Sequence, residues 1–160
     1  MKGDARVIEL LNETLRNELT ATNQYWLHYR MLDNWGLKRL AAHEREESIE
    51  EMKHADSLAE RILMLDGLPN FQAIGSLRIG ENVEEVLRAD LALEMEALDQ
   101  LKGAIAHCED VQDYVSRNLF ASILESEEKH VDEIETQLGM IEGMGLQNYI
   151  QLQSKPADEE

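Results

Sequence analysis

Cysteine is almost missing from this chain: Cys108 is the one example in 160 residues. No intrachain disulfide, cysteine zinc cluster or two-cysteine redox pair can therefore form within it. Such usage fits a reducing compartment, and a cytoplasmic location is expected. Proline is scarce too, and Pro69 and Pro156 leave long stretches before and after Pro69 without a strong helix breaker. No uninterrupted apolar run reaches the length of a signal-peptide core or a membrane span, so the chain is expected to be soluble and unprocessed. Positive charge is in deficit: 15 Lys and Arg stand against 33 Asp and Glu, for a formal charge of -18. A surface of that sign repels nucleic-acid phosphates and anionic membranes, which excludes both as expected partners and favours cations. Acidity alone is also the mark of a bundle that merely stays dispersed. The positions of the acids have to decide.

A chain of this length suits one domain, able to bury roughly two-thirds of its unfolded surface. The expectation is a single all-α domain over 1–160, with four long helices inside about 4–143, a short helix over about 146–152 and a loose tail over 153–160. Asp4 is a good N-cap for a first helix running to about Asn34, where Asn34-Trp35-Gly36 turns the chain. A second helix runs from Leu37 to about Asp66 and stops at Gly67-Leu68-Pro69-Asn70. Asn82 caps the third, with Glu85 three residues on in a box-like position, and it continues to about Asp110. The fourth starts near Asp113 and is expected to fray at Gly139, Gly143 and Gly145. Between Gly67 and Glu81 the helical periodicity lapses. Fifteen extended residues reach up to roughly 50 Å, whereas a helix of 28 residues is roughly 42 Å long. One long crossover can therefore join two antiparallel hairpins, which is the ferritin-like form of the four-helix bundle.

In the first helix Ile8, Leu11, Leu15, Glu18, Thr22, Tyr25, Tyr29 and Leu32 follow at steps of 3 and 4, the spacing of a buried seam. Glu18 interrupts that seam with a carboxylate. Glu94 does the same among Leu87, Leu91, Leu98, Leu101 and Ile105, and Glu127 with His130 does so between Ile123 and Ile134. The second helix carries Leu40, Glu44, Glu47, Glu51, His54 and Leu58 on a stripe that is polar over its first half. One offset of 76 positions relates Glu18 to Glu94, Glu51 to Glu127 and His54 to His130, and also aligns apolar pairs such as Leu11 with Leu87 and Leu58 with Ile134. The hairpins read as internal copies, and packing them about a pseudo-two-fold axis would bring six polar residues to one level of the core. Four carboxylates in a dry interior cannot all stay ionised, because each unpaired buried charge costs several kcal/mol. Two divalent cations relieve that conflict. Glu-x-x-His sets a carboxylate and an imidazole one turn apart on one helical face, and this mixture suits iron, manganese or zinc better than calcium or copper. The inventory is the general pattern of di-iron bundles. A lone Glu-x-x-His is weak, and the plainer alternative is two solvated acidic faces with incidental histidines. Two motifs at the offset that also aligns two core glutamates are specific.

The order of Glu18, Glu51, His54, Glu94, Glu127 and His130 resembles the bacterioferritins. So do Met1-Lys2-Gly3-Asp4, Asn34-Trp35-Gly36-Leu37, Glu47-Ser48-Ile49, Glu51-Met52-Lys53-His54-Ala55-Asp56, Asp113-Tyr114-Val115-Ser116-Arg117 and Gly145-Leu146-Gln147-Asn148-Tyr149. The resemblance covers residues 1 to about 153. It implies a shell of 24 like subunits, two iron ions per subunit bridged by Glu51 and Glu127, and ferroxidase oxidation of Fe(II) by O2 or H2O2, with ferric mineral stored inside. It further implies haem b shared between two subunits through Met52 as axial ligand, with a ferredoxin as electron donor for iron release. From spacing alone Met52 points about 100° away from the metal seam, toward a neighbour, where a plain interface methionine is the alternative. Leu19, Asn23, Trp26, Ile49 and Phe71 are candidate haem walls, and Arg45 stands where relatives often carry an aromatic residue. Glu46 and Glu50 replace a histidine and an aspartate of many relatives and could still attract iron. Tyr25, on the seam of Glu18, is a candidate electron donor or simply a core tyrosine. Cys108 reads as a small buried filler, and His28, His43 and His107 as ordinary helix residues. The rival readings are a rubrerythrin-like di-iron oxidase or peroxidase, a haem-free storage ferritin, a metal-free structural bundle and a miniferritin. Rubrerythrin-like chains usually append paired cysteines, and miniferritins share their ligands across a subunit interface.

Overall fold

The computed structural model describes residues 1–156, and the last part of the expected tail, 157–160, lies outside the described residues. Its helices are α1 (Ala5–Asn34), α2 (Lys38–Met64), α3 (Val83–Asp110), α4 (Tyr114–Met144) and α5 (Leu146–Gln153). Side-chain oxygens of Asp4, Asn82 and Asp113 accept from the backbone N–H groups of Val7, Glu85 and Ser116, closing the N-termini of α1, α3 and α4. At α2 no side chain caps, and Leu37 instead buries itself at the turn. Glu85 is not the reciprocal half of a capping box, since its Oε2 accepts from Glu81 N at 2.8 Å. Fraying at Gly139 and Gly143 does not occur. The helix continues to Met144 because Ile141 is buried against Leu32, Leu40 and Tyr149. One such side chain contributes about 1.5–3 kcal/mol on burial, and each helical glycine costs about 1 kcal/mol. Gly145 ends the helix with φ 83°, a left-handed conformation that glycine adopts without strain. The chain is ordered further than expected at this end, with Gln153 buried as the last residue of α5.

Hairpins α1–α2 and α3–α4 pack together chiefly through α1 against α3. Two apolar clusters result. One joins Leu11, Leu15, Leu58, Ile62, Leu101 and Phe120, the other Leu32, Leu40, Val86, Leu87, Ile141 and Tyr149, and the polar level lies between them. The offset of 76 survives in the contacts. Gln24 Nε2 donates to Asp90 Oδ1 at 2.9 Å, and at the two equivalent positions Thr14 Oγ1 donates to Gln100 Oε1 at 2.8 Å. Equivalence fails at Leu19 and Met95, the first buried and the second exposed.

Among the described residues, the crossover from Leu65 to Asn82 has no neighbouring strand to satisfy its backbone. Side chains on one stripe of α1 do so instead: Asn12 Oδ1 accepts from Asn70 N at 2.8 Å, Thr20 Oγ1 from Gly75 N at 2.9 Å, Gln24 Oε1 from Arg78 N at 2.9 Å, and His28 Nε2 from Gly80 N at 3.0 Å. Their spacing in multiples of four keeps them on one face. His28 is therefore not an ordinary helix residue. It is fully buried, and because Nε2 accepts, Nδ1 carries the proton it donates to Asp90 Oδ1 at 2.9 Å. His107 and His43 also have specific partners, Asp4 for the first and Glu47 with Glu133 for the second.

Candidate metal centre

Each Glu-x-x-His motif lies on a helix that runs unbroken through it, so carboxylate and imidazole share a face. Glu18 and Glu94 enter from α1 and α3, midway between the apolar clusters. The fold brings all six together as two overlapping ligand sets, Glu18, Glu51, His54 and Glu127 in one and Glu51, Glu94, Glu127 and His130 in the other, with the ligand atoms of each set within 4.8 Å of one another. Glu51 and Glu127 belong to both. His54 Nδ1 lies 3.5 Å from Glu18 Oε2, 3.7 Å from Glu51 Oε2 and 3.2 Å from Glu127 Oε1. His130 Nδ1 lies 3.0 Å from Glu51 Oε1, 3.8 Å from Glu94 Oε1 and 3.2 Å from Glu127 Oε2.

Every one of the four carboxylates is at most 2 % exposed. Burial, with the charges of neighbouring glutamates, pushes Glu18, Glu51 and Glu94 well above the usual carboxylate range. Glu127 moves the other way: burial would raise it, but the closeness of Glu94, His130 and His54 holds it well below that range. Burial opposes charge on His54, yet Glu127 and Glu18 raise it to about 10, and Glu127, Glu47 and Glu51 likewise raise His130. Metal fits this donor set on a direct structural ground. Glu18 Oε2, Glu51 Oε1, Glu94 Oε2, Glu127 Oε1 and His54 Nδ1 are buried atoms without a hydrogen-bond partner. Each orphaned group of this kind costs about 1–3 kcal/mol or more, and cations between the two sets would satisfy all five.

Tyr25 is buried and its hydroxyl donates to Glu94. Burial and the Glu94 charge push the phenol up. Sequence reasoning placed Glu44 and Glu47 on a polar stripe without assigning them a part. Glu44 is buried, its carboxyl raised by burial and by Asp90 beside it, and Glu47 contacts His130 Nε2. Asp90 was missed entirely. Its only signal was a carboxylate one helical turn before Glu94 on the same seam. Glu46 is exposed, whereas Glu50 accepts from Ser126 and lies 3.3 Å from His130 Nε2.

Met52 lies outside this centre, 45 % exposed. Ser48 Oγ donates to the carbonyl of Thr22, and the Arg45 guanidinium sits 5.6 Å over the Trp26 ring. That antiparallel register sets Leu19 across from Met52 and Asn23 across from Ile49. Trp26 and Phe71 are exposed, and Leu19 belongs to the core. Cys108 is a buried free thiol, pushed up to about 11 by burial and by the charge of Asp113.

Four helices, one long crossover and a core of four carboxylates with two imidazoles define the ferritin-like class, and residues 8–144 match the family model described as a ferritin-like domain. The chain is 53 % identical to the bacterioferritin of Brucella melitensis over 159 residues, covering 99 % of each. It is 52 % identical to that of Mycolicibacterium paratuberculosis over 149 residues, 93 % of this chain and 94 % of the relative. With the bacterioferritin of Rhodobacter capsulatus it shares 50 % over 158 residues, 99 % of this chain and 98 % of that one. The chain belongs to the bacterioferritin family.

Proposed function

We propose that this member of an iron-storage family is a ferroxidase, taking Fe(II) as substrate at the six-residue centre and delivering Fe(III) for storage. The observation that carries the reading is the pair of ligand sets sharing Glu51 and Glu127, with an orphaned oxygen on each of the four glutamates. Glu51 and Glu127, which belong to both ligand sets, would bind both ions, with Glu18 and His54 completing one position and Glu94 and His130 the other. Two Fe(II) ions bound there would together supply the two electrons that, with two protons from the site or solvent, take O2 to H2O2 or H2O2 to two waters, leaving two Fe(III). The protein's own part is to bind, to orient and to manage protons. Glu18, Glu51 and Glu94 hold protons in the metal-free site and give them up as cations enter, and the hydroxyl of Tyr25 holds Glu94 in place and lies at the centre as a candidate electron donor. Leu40 and Leu87 line the same cavity as Tyr25.

The same reading extends to assembly, cofactor and location. Leu63, Leu68, Phe71, Ile74 and Val115 are exposed apolar side chains, which favours burial against like subunits in a shell of about 24 copies. Haem b suits Met52, a soft thioether standing outward on α2 with Leu19, Asn23, Trp26, Ile49 and Phe71 as walls, and a second copy's equivalent face would complete the pocket. When bound it supplies a route for electrons from a donor such as a ferredoxin. No helix among the described residues is long and apolar enough to cross a membrane, and we infer a cytoplasmic site of action. Aerobic addition of about two Fe(II) per subunit, followed by absorption of ferric products, tests the central reading. Oxidation well above that in buffer is expected, and a rate equal to buffer would overturn it.

A further inference from the structure

The two ends of the centre are related by the offset of 76, but the surroundings of their histidines are not. His130 directs Nδ1 into the centre, 3.0 Å from Glu51 and 3.2 Å from Glu127, while its Nε2 contacts Glu47 and lies 3.3 Å from Glu50 Oε2. His54 also directs Nδ1 inward, and among the described residues all its ion pairs run through that atom. The positions equivalent to Glu47 and Glu50 behind His54 are Ile123 and Ser126. Ile123 is hydrocarbon in the core, and the Ser126 hydroxyl is engaged by Glu50 Oε1 at 2.7 Å. Among the described residues, one histidine therefore has carboxylates behind it and the other has none.

Resting on the di-metal reading above, we infer that the two metal positions are unequal: the one held by Glu51, Glu94, Glu127 and His130 fills first, and Glu47 is the positioning residue that makes it so. An imidazole binding a cation through Nδ1 carries its proton on Nε2. A carboxylate that accepts this proton fixes the tautomer, orients the ring and raises its basicity, and losing such a partner typically lowers metal affinity 10–100-fold. Glu47 is itself held in place, its Oε1 3.3 Å from His43 Nε2, which lies equally 3.3 Å from Glu133 Oε2. Its side chain is 13 % exposed, so its charge is only partly screened and acts more strongly on the nearer cation. The simpler alternative gives Glu47 only a structural salt bridge with His130. That role would alter stability without sorting the two positions.

Anomalous diffraction from the full-length metal-free protein soaked with about one Co(II) per subunit separates these. The parent should show the His130 position occupied about 10-fold or more over the His54 position. Glu47→Ile, which copies the residue behind His54, should bring the ratio close to one, and Glu47→Gln, which keeps the shape and loses the charge, should remove most of the preference. Equal occupancy in the parent, an unchanged preference in either variant, or cobalt lodged between Glu47, Glu50 and His130 Nε2 would each overturn the inference. The first of these needs no variant to fold. Absence of cobalt from both positions would instead overturn the di-metal reading on which the inference rests.

Discussion

Ser126 donates a 2.7 Å hydrogen bond to Glu50, and these two residues are 76 positions apart, the offset that relates Glu18 to Glu94. Each is the other's equivalent in the internal repeat, so the bond between them crosses the pseudo-two-fold axis itself. The chain has diverged even there, one copy keeping a hydroxyl and the other a carboxylate. Function in this centre follows from what the repeat preserves and also from what it has lost.

Removal of the terminal carboxylates tests what the centre is for. Glu18→Ala with Glu94→Ala should abolish fast oxidation of about two Fe(II) per subunit. The metal-free double variant should melt no lower than the metal-free parent, because two crowded buried acids are gone. Zn(II) at about 100 times its dissociation constant should stabilise the parent by about 2.7 kcal/mol per site and the variant by far less. Calorimetry with and without zinc reads both effects. Parental oxidation by the variant would rule out these glutamates as ligands.

Protonation gives the second expectation. Glu18, Glu51 and Glu94 are raised and His54 is raised to about 10. A raised folded value contributes stability below the unfolded value and loses it as pH rises through the folded one. Glu127, which is lowered, has the opposite sign and loses its contribution on acidification, but in this centre it is one group against five, since His130 is raised as well. The metal-free protein should therefore lose stability from about pH 5 to about pH 10, the value of His54, while the zinc-loaded protein, whose ligands are deprotonated throughout, changes less. Unbuffered titration of metal-free protein with Zn(II) near neutral pH should release protons. Uptake, or a metal-free profile no steeper than the loaded one, would contradict these shifts.

Gly80 anchors the end of the crossover. A Cβ there would fall 2.2 Å from Val86 N and 2.6 Å from Val86 Cα, rigid backbone at the start of α3. Gly80→Ala should cost about 3 kcal/mol or more, at the upper end for overpacking. It should also speed amide exchange at Gly75 and Arg78 as the crossover lifts from Thr20 and Gln24. Unchanged exchange at both amides would show that the α1 stripe does not depend on this corner.

If haem is held by Met52 as proposed, its attachment should be separable from iron oxidation. Met52→Leu keeps the side-chain volume but removes the sulfur, so the Soret band should vanish or shift while the shell stays assembled by light scattering. Oxidation of Fe(II) should persist, since Met52 lies outside the metal centre. An unchanged haem spectrum would assign the ligand to another residue.

Sequence alone determined the helices, because capping residues and 3.6-residue periodicity are local signals: Asp4 and Asn82 cap where they were expected to, and α4 starts beside Asp113. It also determined the six-residue constellation, since an internal repeat turns one weak Glu-x-x-His into a doubled pattern whose offset is visible without coordinates. Only the tertiary structure decided the fate of His28, Gln24 and Thr20, whose partners are backbone amides more than 50 positions away. Their four-residue spacing alone is that of any polar stripe. It likewise decided that Glu44 is buried beside Asp90 and that Glu47 backs His130 and not His54. Periodicity assigns a residue to a face of its own helix, but burial and hydrogen-bond partners depend on which other helix meets that face and at what height. That information is held in the packing of the two hairpins and in no local stretch of the chain.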